Sequence, residues 1–288
     1  MANVLVTGAA GFLGRQVVER LAKNPLADYI FPLDNWEPTC GAALAYPAQQ
    51  IDVTDEGTLE FIIANFEITH VVHLAAYGRN LNCQAFPRRA WEVNLGGTVN
   101  VLESSRALNV KRVVVCSSNI VLCPDMTTYK ATKLAAESAV LAYQRYGLSC
   151  QALRPCNIGG PGQSKTEYQL CAFAGLDESY KKNGFVEITG DGEQTRDFVD
   201  VRDVARAFEI ALFSDYCGPT IDIATGDLIS MNEVARIVGL PIRYVADRPG
   251  DARTIVSDVE EAKKHLGFVA EISREKTLRD SFPSVSRT

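Results

Sequence analysis

The stretch NVLVTGAAGFLGRQVVERLAKN, at residues 3–24, limits the possible folds more than any other part of the chain. A short β-branched run ends in a turn holding Gly8, Gly11 and Gly14, and apolar residues then recur at helical spacing. A strand that turns this tightly into a helix opens a βαβ unit. The three glycines meet separate demands. Gly8 permits the tight turn, Gly11 lets a pyrophosphate approach the backbone, and Gly14 lets the helix pack close to the sheet. The helix start at Phe12 and Leu13 presents N–H groups to the phosphates. A glycine triplet alone is a weak signal; the strand–turn–helix context is what gives it weight.

Asp34 ends the second strand twenty residues after Gly14. A carboxylate there accepts hydrogen bonds from adenosine ribose hydroxyls and repels a 2′-phosphate. None of Asn35, Trp36 and Glu37 is a cation, which favours NAD over NADP. Asp52 and Val53, in QQIDVTD, fall where the end of a third strand flanks an adenine. Asp52 also reads as a solvated loop acid.

Strand-like runs at 3–8, 29–34, 70–76, 111–118 and 148–155 alternate with the helical patterns RQVVERLAKN, TLEFIIANF, VNVLESSRAL and KLAAESAVLAYQRYG. Short apolar strands joined by helices predict a doubly wound α/β fold on a parallel sheet with right-handed crossovers. Pro32 sits awkwardly in the second strand, since it cannot donate a ladder hydrogen bond. Residues 156–197 are rich in Gly, polar and aromatic residues without a clear period. A helix at 203–213 and a strand at 219–224 return to the first pattern. The expected domains are 1–155 with 198–225, binding NAD, and a smaller substrate lobe from 156–197 with 226–288. The cleft between them falls at the carboxyl ends of the strands, where open α/β sheets bind ligands.

The 288 residues are 47% hydrophobic and 22% charged, enough for a proper core. No apolar run approaches the roughly 18 residues needed to cross a bilayer, and the N-terminus lacks the basic leader of a signal peptide. A net charge of −6 with mixed signs argues against nucleic acid and anionic membranes. The eight cysteines form no CxxC and no paired metal spacing, and several lie in apolar runs. Reduced thiols in a cytoplasm are the simplest reading. Only His70, His73 and His265 are available for a histidine triad or a zinc site, so neither is expected.

TTYKATK, at 127–133, places Tyr129 and Lys133 one helical turn apart, which on its own is a common accident. Other segments change that. TGAAGFLG, LDN at 33–35, DVTD at 52–55, VVHLAA at 71–76, VNLGGTVNVLE at 93–103, SSNIV at 117–121, YKATK at 129–133, RPCNIGGPG at 154–162, GDGEQTRDFVDVRDVARA at 190–207 and RPGD at 248–251 occur in one order. In that order the chain resembles the extended short-chain dehydrogenase/reductases, in the branch of NAD-dependent nucleotide-sugar epimerases and dehydratases, from Asn3 to about Phe282.

The resemblance implies a catalytic Tyr129–Lys133 pair, because a phenol titrating at about 10 is a poor base and a nearby ammonium favours the phenolate. Lys133 would also reach the nicotinamide ribose. Ser118 resembles the hydroxyl that binds the reacting sugar oxygen. It also reads as a strand-end serine capping a turn, and Ser117 competes for the role. Leu74, Ala75 and Ala76 resemble the family's cofactor-binding strand end. Asn94 resembles the residue that supports the active-site backbone, and its first reading is structural. On the substrate side, Asn157 resembles a contacting amide, Arg196 and Arg248 the arginines that grip the diphosphate, and Asp251 the acid near the nucleotide ribose. Surface ion pairs are the alternative for both arginines.

The chain departs from the family in one place. Only ten residues separate Ser118 from Tyr129, where relatives carry a loop of about two dozen, so a shorter wall over the substrate is expected. The family's 4,6-dehydratases carry an Asp-Glu pair directly after the strand-end hydroxyl; here Asn119 and Ile120 stand there. A keto-sugar reductase usually consumes NADPH, against which Asp34 argues. The resemblance therefore implies 4-epimerisation of a UDP-hexose, with another oxidoreductase of the family or a non-catalytic NAD sensor as alternatives. Relatives dimerise through a four-helix bundle, and the apolar residues Leu134, Val140, Leu141 and Tyr143 fit a homodimer built that way or a face against the small lobe.

Overall fold

The structure, a computed structural model, describes residues 1–35, 48–78, 80–163, 172–247, 252–283 and 285. Its main sheet has seven parallel strands: β1 (Ala2–Thr7), β2 (Ala27–Asp34), β3 (Gln49–Gln50), β4 (His70–His73), β5 (Arg112–Cys116), β6 (Cys150–Pro155) and β10 (Ile221–Ile223). Their spatial order is β10-β6-β5-β4-β1-β2-β3, and every pairing is parallel. The chain runs outward from β1 in one direction and then returns to β4 on its other side. That reversal opens a crevice at the strands' carboxyl ends.

Alternate residues of each strand face opposite helical layers. Val4, Val6, Val72, Val114 and Leu153 pack under α1 (Phe12–Leu21), α8 (Val201–Leu212) and α10 (Glu260–Leu266). Leu5, Val71, Val113 and Val115 pack under α2 (Glu56–Asn65), α5 (Thr98–Ala107) and α6 (Thr128–Arg145). On α1 the buried stripe is Leu13, Val17, Val18 and Leu21, and each such side chain contributes about 1.5–3 kcal/mol. Pro32 is accommodated because β3 pairs with β2 only at Leu33 and Asp34. Pro32 thus borders β1 alone among the described strands, an edge position where a missing N–H does no harm.

A second hydrophobic cluster, around Phe173, Val186, Ile188, Phe198, Val234, Leu278 and Phe282, sits outside the main sheet. It is built on two small sheets. One orders β11 (Leu228–Ser230), β9 (Thr195–Asp200) and β7 (Asn157–Gly159); the other pairs β12 (Ile242–Val245) with β8 (Val186–Thr189). Helices α7 (Ala172–Asn183), α9 (Met231–Val238) and α11 (Arg274–Ser281) cover them. α10 does otherwise: its Ala262 and Leu266, with Phe268, join the core beneath the main sheet. No helix among the described residues is long and apolar enough to cross a membrane.

Candidate active site

The crevice beside β1 is lined by Gly8, Gly11, Leu33, Asp34, Asn35, Ile51, Asp52, Val53, Leu74, Ala75, Ala76, Tyr77, Arg89 and Val93. Gly8 has φ +71°, and a Cβ on it would lie 2.6 Å from the Ala75 nitrogen. A Cβ on Gly14 would lie 2.0 Å from the Gly8 carbonyl oxygen. The turn therefore fits only glycine at both positions, and a Cβ on Gly11, which lines the cleft, would lie 3.1 Å from the Gly8 carbonyl oxygen. Gly11 is the N-cap of α1, and neither a side-chain cap nor an acidic residue occupies that first turn. Such a terminus carries unpaired N–H groups and a positive dipole end suited to a phosphate. Phe12 and Leu13 begin the helix there, with Leu13 buried.

Asp34 accepts from Ala10 N–H at 2.9 Å, which aims its carboxylate across the glycine turn. Asp52 is half-buried on the crevice wall. It accepts from Thr54 N and Thr54 Oγ1, each at 2.9 Å, and pairs with Arg89. Burial pushes its pKa up, but the Thr54 hydrogen bonds and the Arg89 guanidinium outweigh that and hold it below the usual carboxylate range. These residues fit a dinucleotide: a glycine cradle and open helix end for the pyrophosphate, and an oriented acid for a ribose.

Asn94, fully buried in a π-helical turn at Glu92–Gly97, holds the floor. Its Oδ1 accepts from Tyr77 N–H at 2.7 Å, and its Nδ2 donates to Tyr77 O at 3.2 Å and to Thr132 Oγ1 at 3.0 Å. One amide thus fixes the backbone after β4 and the helix α6. Beneath it, Thr98 Oγ1 donates to Asn94 O at 2.7 Å, so it must accept from His73 Nε2–H at 3.1 Å. His73 Nδ1 then accepts from Thr7 Oγ1 at 2.7 Å, and that oxygen accepts from Ala75 N–H at 3.3 Å. The chain of donors sets a neutral imidazole. Burial pushes its pKa down to about 3, with the Lys133 ammonium acting in the same direction.

Tyr129 and Lys133 occupy the first two turns of α6, whose N-cap Thr127 accepts from Lys130 N–H at 3.2 Å. Lys133 Nζ donates to Cys116 O at 2.8 Å at the end of β5 and lies 5.9 Å from the centre of the half-buried Tyr129 ring. Burial pulls the Lys133 pKa down, opposed by Cys116, Cys83 and Glu137. The two serines are now distinguishable. Ser117 is buried and donates to Glu137, whereas Ser118 is half-buried and caps a 3₁₀ turn at Asn119–Leu122, accepting from Ile120 N–H at 3.3 Å.

The short connection to Tyr129 is closed from within. Lys130 Nζ donates to Cys123 O, and Cys123 and Ile120 pack with Ala252 and Ile255. On the small lobe, Asn157 and Arg196 sit on the adjacent strands β7 and β9. Asn157 Nδ2 donates to Asp197 O at 3.1 Å, and Arg196 Nη1 donates to Thr195 O at 2.7 Å. Arg248 and Asp251 lie outside the described residues. No group of metal-ligating side chains occurs among the described residues. Tyr77, Val93 and Arg89 escaped the sequence reading. Val93 adjoins Asn94, but nothing local marks Arg89, whose partner is 37 residues away.

A profile of the NAD-dependent epimerase/dehydratase family matches residues 4–224. The chain belongs to that family. Its relatives include a UDP-glucuronate 4-epimerase of Thermodesulfobacterium geofontis, 28% identical over 97% of this chain and 94% of the other. Among solved structures, UDP-glucose 4-epimerase of Thermotoga maritima with UDP-glucose superposes with a TM-score of 0.88 at 28% identity, over 99% of each chain. The Thermus thermophilus UDP-glucose 4-epimerase in complex with NAD gives 0.84 at 28% identity, again over 99% of each. Family membership makes the protein an NAD-dependent enzyme of the nucleotide-sugar epimerase/dehydratase type.

Proposed function

We propose that the protein is a 4-epimerase of a UDP-hexose. The observation that carries this reading is the placement of Tyr129 and Lys133 on one helix end, with Lys133 tied to Cys116 O and Ser118 at the adjoining strand end. In it, Gly8, Gly11, Phe12, Leu13 and Gly14 receive the pyrophosphate, Asp34 and Asn35 the adenosine ribose, and Asp52 and Val53 the adenine. Leu74, Ala75, Ala76 and Asn94 shape the floor. Tyr129 takes the proton of the sugar C4 hydroxyl and returns it to the same oxygen, Ser118 orients that oxygen, and the Lys133 ammonium favours the phenolate. Bound NAD+ supplies a hydride acceptor that gives the hydride back, so no cofactor is consumed. Asn157, Arg196, Arg248 and Asp251 hold the sugar nucleotide on the small lobe, residues 156–197 with 226–288 apart from α10 and Phe268, which join the main core.

Asn119 and Ile120 provide no acid to expel a sugar hydroxyl, which separates the reading from a dehydratase. The 4-epimerases among the similar proteins support the choice of carbon and of the uridine nucleotide. The exposed Leu141 and Trp91, on α6 and on α4 (Pro87–Trp91), support a homodimer through these helices; Val140 and Tyr143 instead pack into the protomer's own core. The test is conversion of UDP-glucose, UDP-N-acetylglucosamine and UDP-glucuronate to their C4 epimers without added cofactor. A requirement for stoichiometric NADH or NADPH would overturn the reading.

A further inference from the structure

The adenosine end of the cleft holds a cation that the linear sequence hides. Arg89, on α4, lines the cleft with Asp34, Asn35 and Asp52. Its Nη2 pairs with Asp52 Oδ2, and that same oxygen accepts from Asn35 Nδ2 at 3.4 Å. Asn35 directly follows Asp34. One shared oxygen therefore separates the guanidinium from the amide that adjoins the ribose-binding acid. On its other side Arg89 has Glu92 at 3.8 Å. Asp52 does not depend on Arg89 for its orientation, because Thr54 N–H and Oγ1 both hold its other oxygen, Oδ1, at 2.9 Å.

We infer that Asp52 and Arg89 together determine whether the cleft accepts a dinucleotide with a ribose 2′-phosphate, Asp52 occupying the guanidinium that would otherwise receive it. An arginine fork is well matched to phosphate oxygens and binds them bidentately. While Asp52 is ionised the pair presents no net charge, and the Asp34 carboxylate repels the phosphate unopposed. With Asp52 neutral, Arg89 offsets Asp34 at the same end of the cleft. This inference rests on the reading of the cleft as the adenosine site and adds to it a selectivity device remote from the glycine turn.

The experiment measures dissociation constants of NAD+ and NADP+ by titration calorimetry, on protein first stripped of any co-purified dinucleotide, for the wild type, Asp52→Asn, Arg89→Ala and the double variant. Asparagine keeps a carbonyl acceptor for Thr54. The NADP+/NAD+ ratio of constants should fall about five- to tenfold in Asp52→Asn, the scale of one partly exposed charge-assisted contact. It should rise in Arg89→Ala and lose the gain in the double variant. An unchanged ratio in Asp52→Asn, or an equal fall in the double variant, would overturn the inference and leave the cleft reading standing. Failure of the wild type to bind either dinucleotide would overturn both.

Discussion

At the scale of single residues, chemistry follows from which hydroxyl is already engaged. Ser117 and Ser118 are equivalent in sequence, and the buried Glu137 beside Ser117 does most to tell them apart. Such a contact spans twenty residues and no local pattern announces it. Tyr129 and Lys133, by contrast, stand out only through the ordered motifs around them, since one helical turn between two such residues is by itself a common spacing. Replacing Tyr129 with Phe should lower turnover about a hundredfold or more, while NAD binding by calorimetry stays near wild type. Loss of binding in parallel would show a structural role instead. His73 gives a prediction in pH. Its folded pKa is depressed from 6.5 to about 3 by burial first and Lys133 second. Between those values the unfolded chain binds a proton that the native state refuses. The stability it contributes is therefore complete above 6.5 and declines as pH falls toward 3. Unfolding free energies of His73→Gln from urea titrations should depend less on pH across that window, by up to about 1.4 kcal/mol per pH unit.

At the scale of elements, α6 is held at several points along its length. Thr127 caps it, Lys133 meets β5, and Glu137 receives Ser117 and Arg154. Arg154 bridges Glu137 at 2.7 Å and Asp222 at 2.9 Å, joining α6, β6 and β10 through side chains that are little exposed. Arg154→Met would leave two buried carboxylates without their cation, a loss of about 3–5 kcal/mol. Chemical denaturation should reveal it as a lower midpoint with an unchanged slope. Periodicity made most strands and helices of the first half readable, β3 and the short helix Asn80–Ala85 excepted. The π-helical turn holding Asn94 was not readable, since VNLGGTVNVLE carries helical spacing throughout. Gly97 marks the place in retrospect: a Cβ there would meet Val53 Cγ2 at 2.6 Å.

At the scale of the whole molecule, the parallel sheet could be anticipated because each strand is followed by its crossover helix. A smaller lobe over 156–197 and 226–288 was expected too, but not the make-up of its hydrophobic cluster. Its members run from Phe173 to Phe282 and sit on strands of three, four and six residues, too short for a period to declare itself. An enzyme that recycles its dinucleotide should keep it through purification. Acid or heat denaturation should release close to one NAD per chain, read by enzymatic cycling, and added NAD should raise the melting temperature of any empty fraction. A preparation that releases none and does not respond to NAD would contradict retention. The proposed homodimer predicts twice the protomer mass by sedimentation, and Leu141→Glu should halve it.

The segment from Ser118 to Tyr129 leans on residues more than a hundred positions downstream, where Ala252 and Ile255 close against Ile120 and Cys123. A boundary assembled from two distant stretches divides its duties. The nearer stretch is pinned by Lys130 and must keep the phenol where it is, while the farther one can change shape at little risk to it. On the proposed epimerase reading, sugar preference is then free to drift through the carboxyl-terminal third, and swaps at 252–255 with homologous sequences should retune which sugars are turned over before they impair turnover itself.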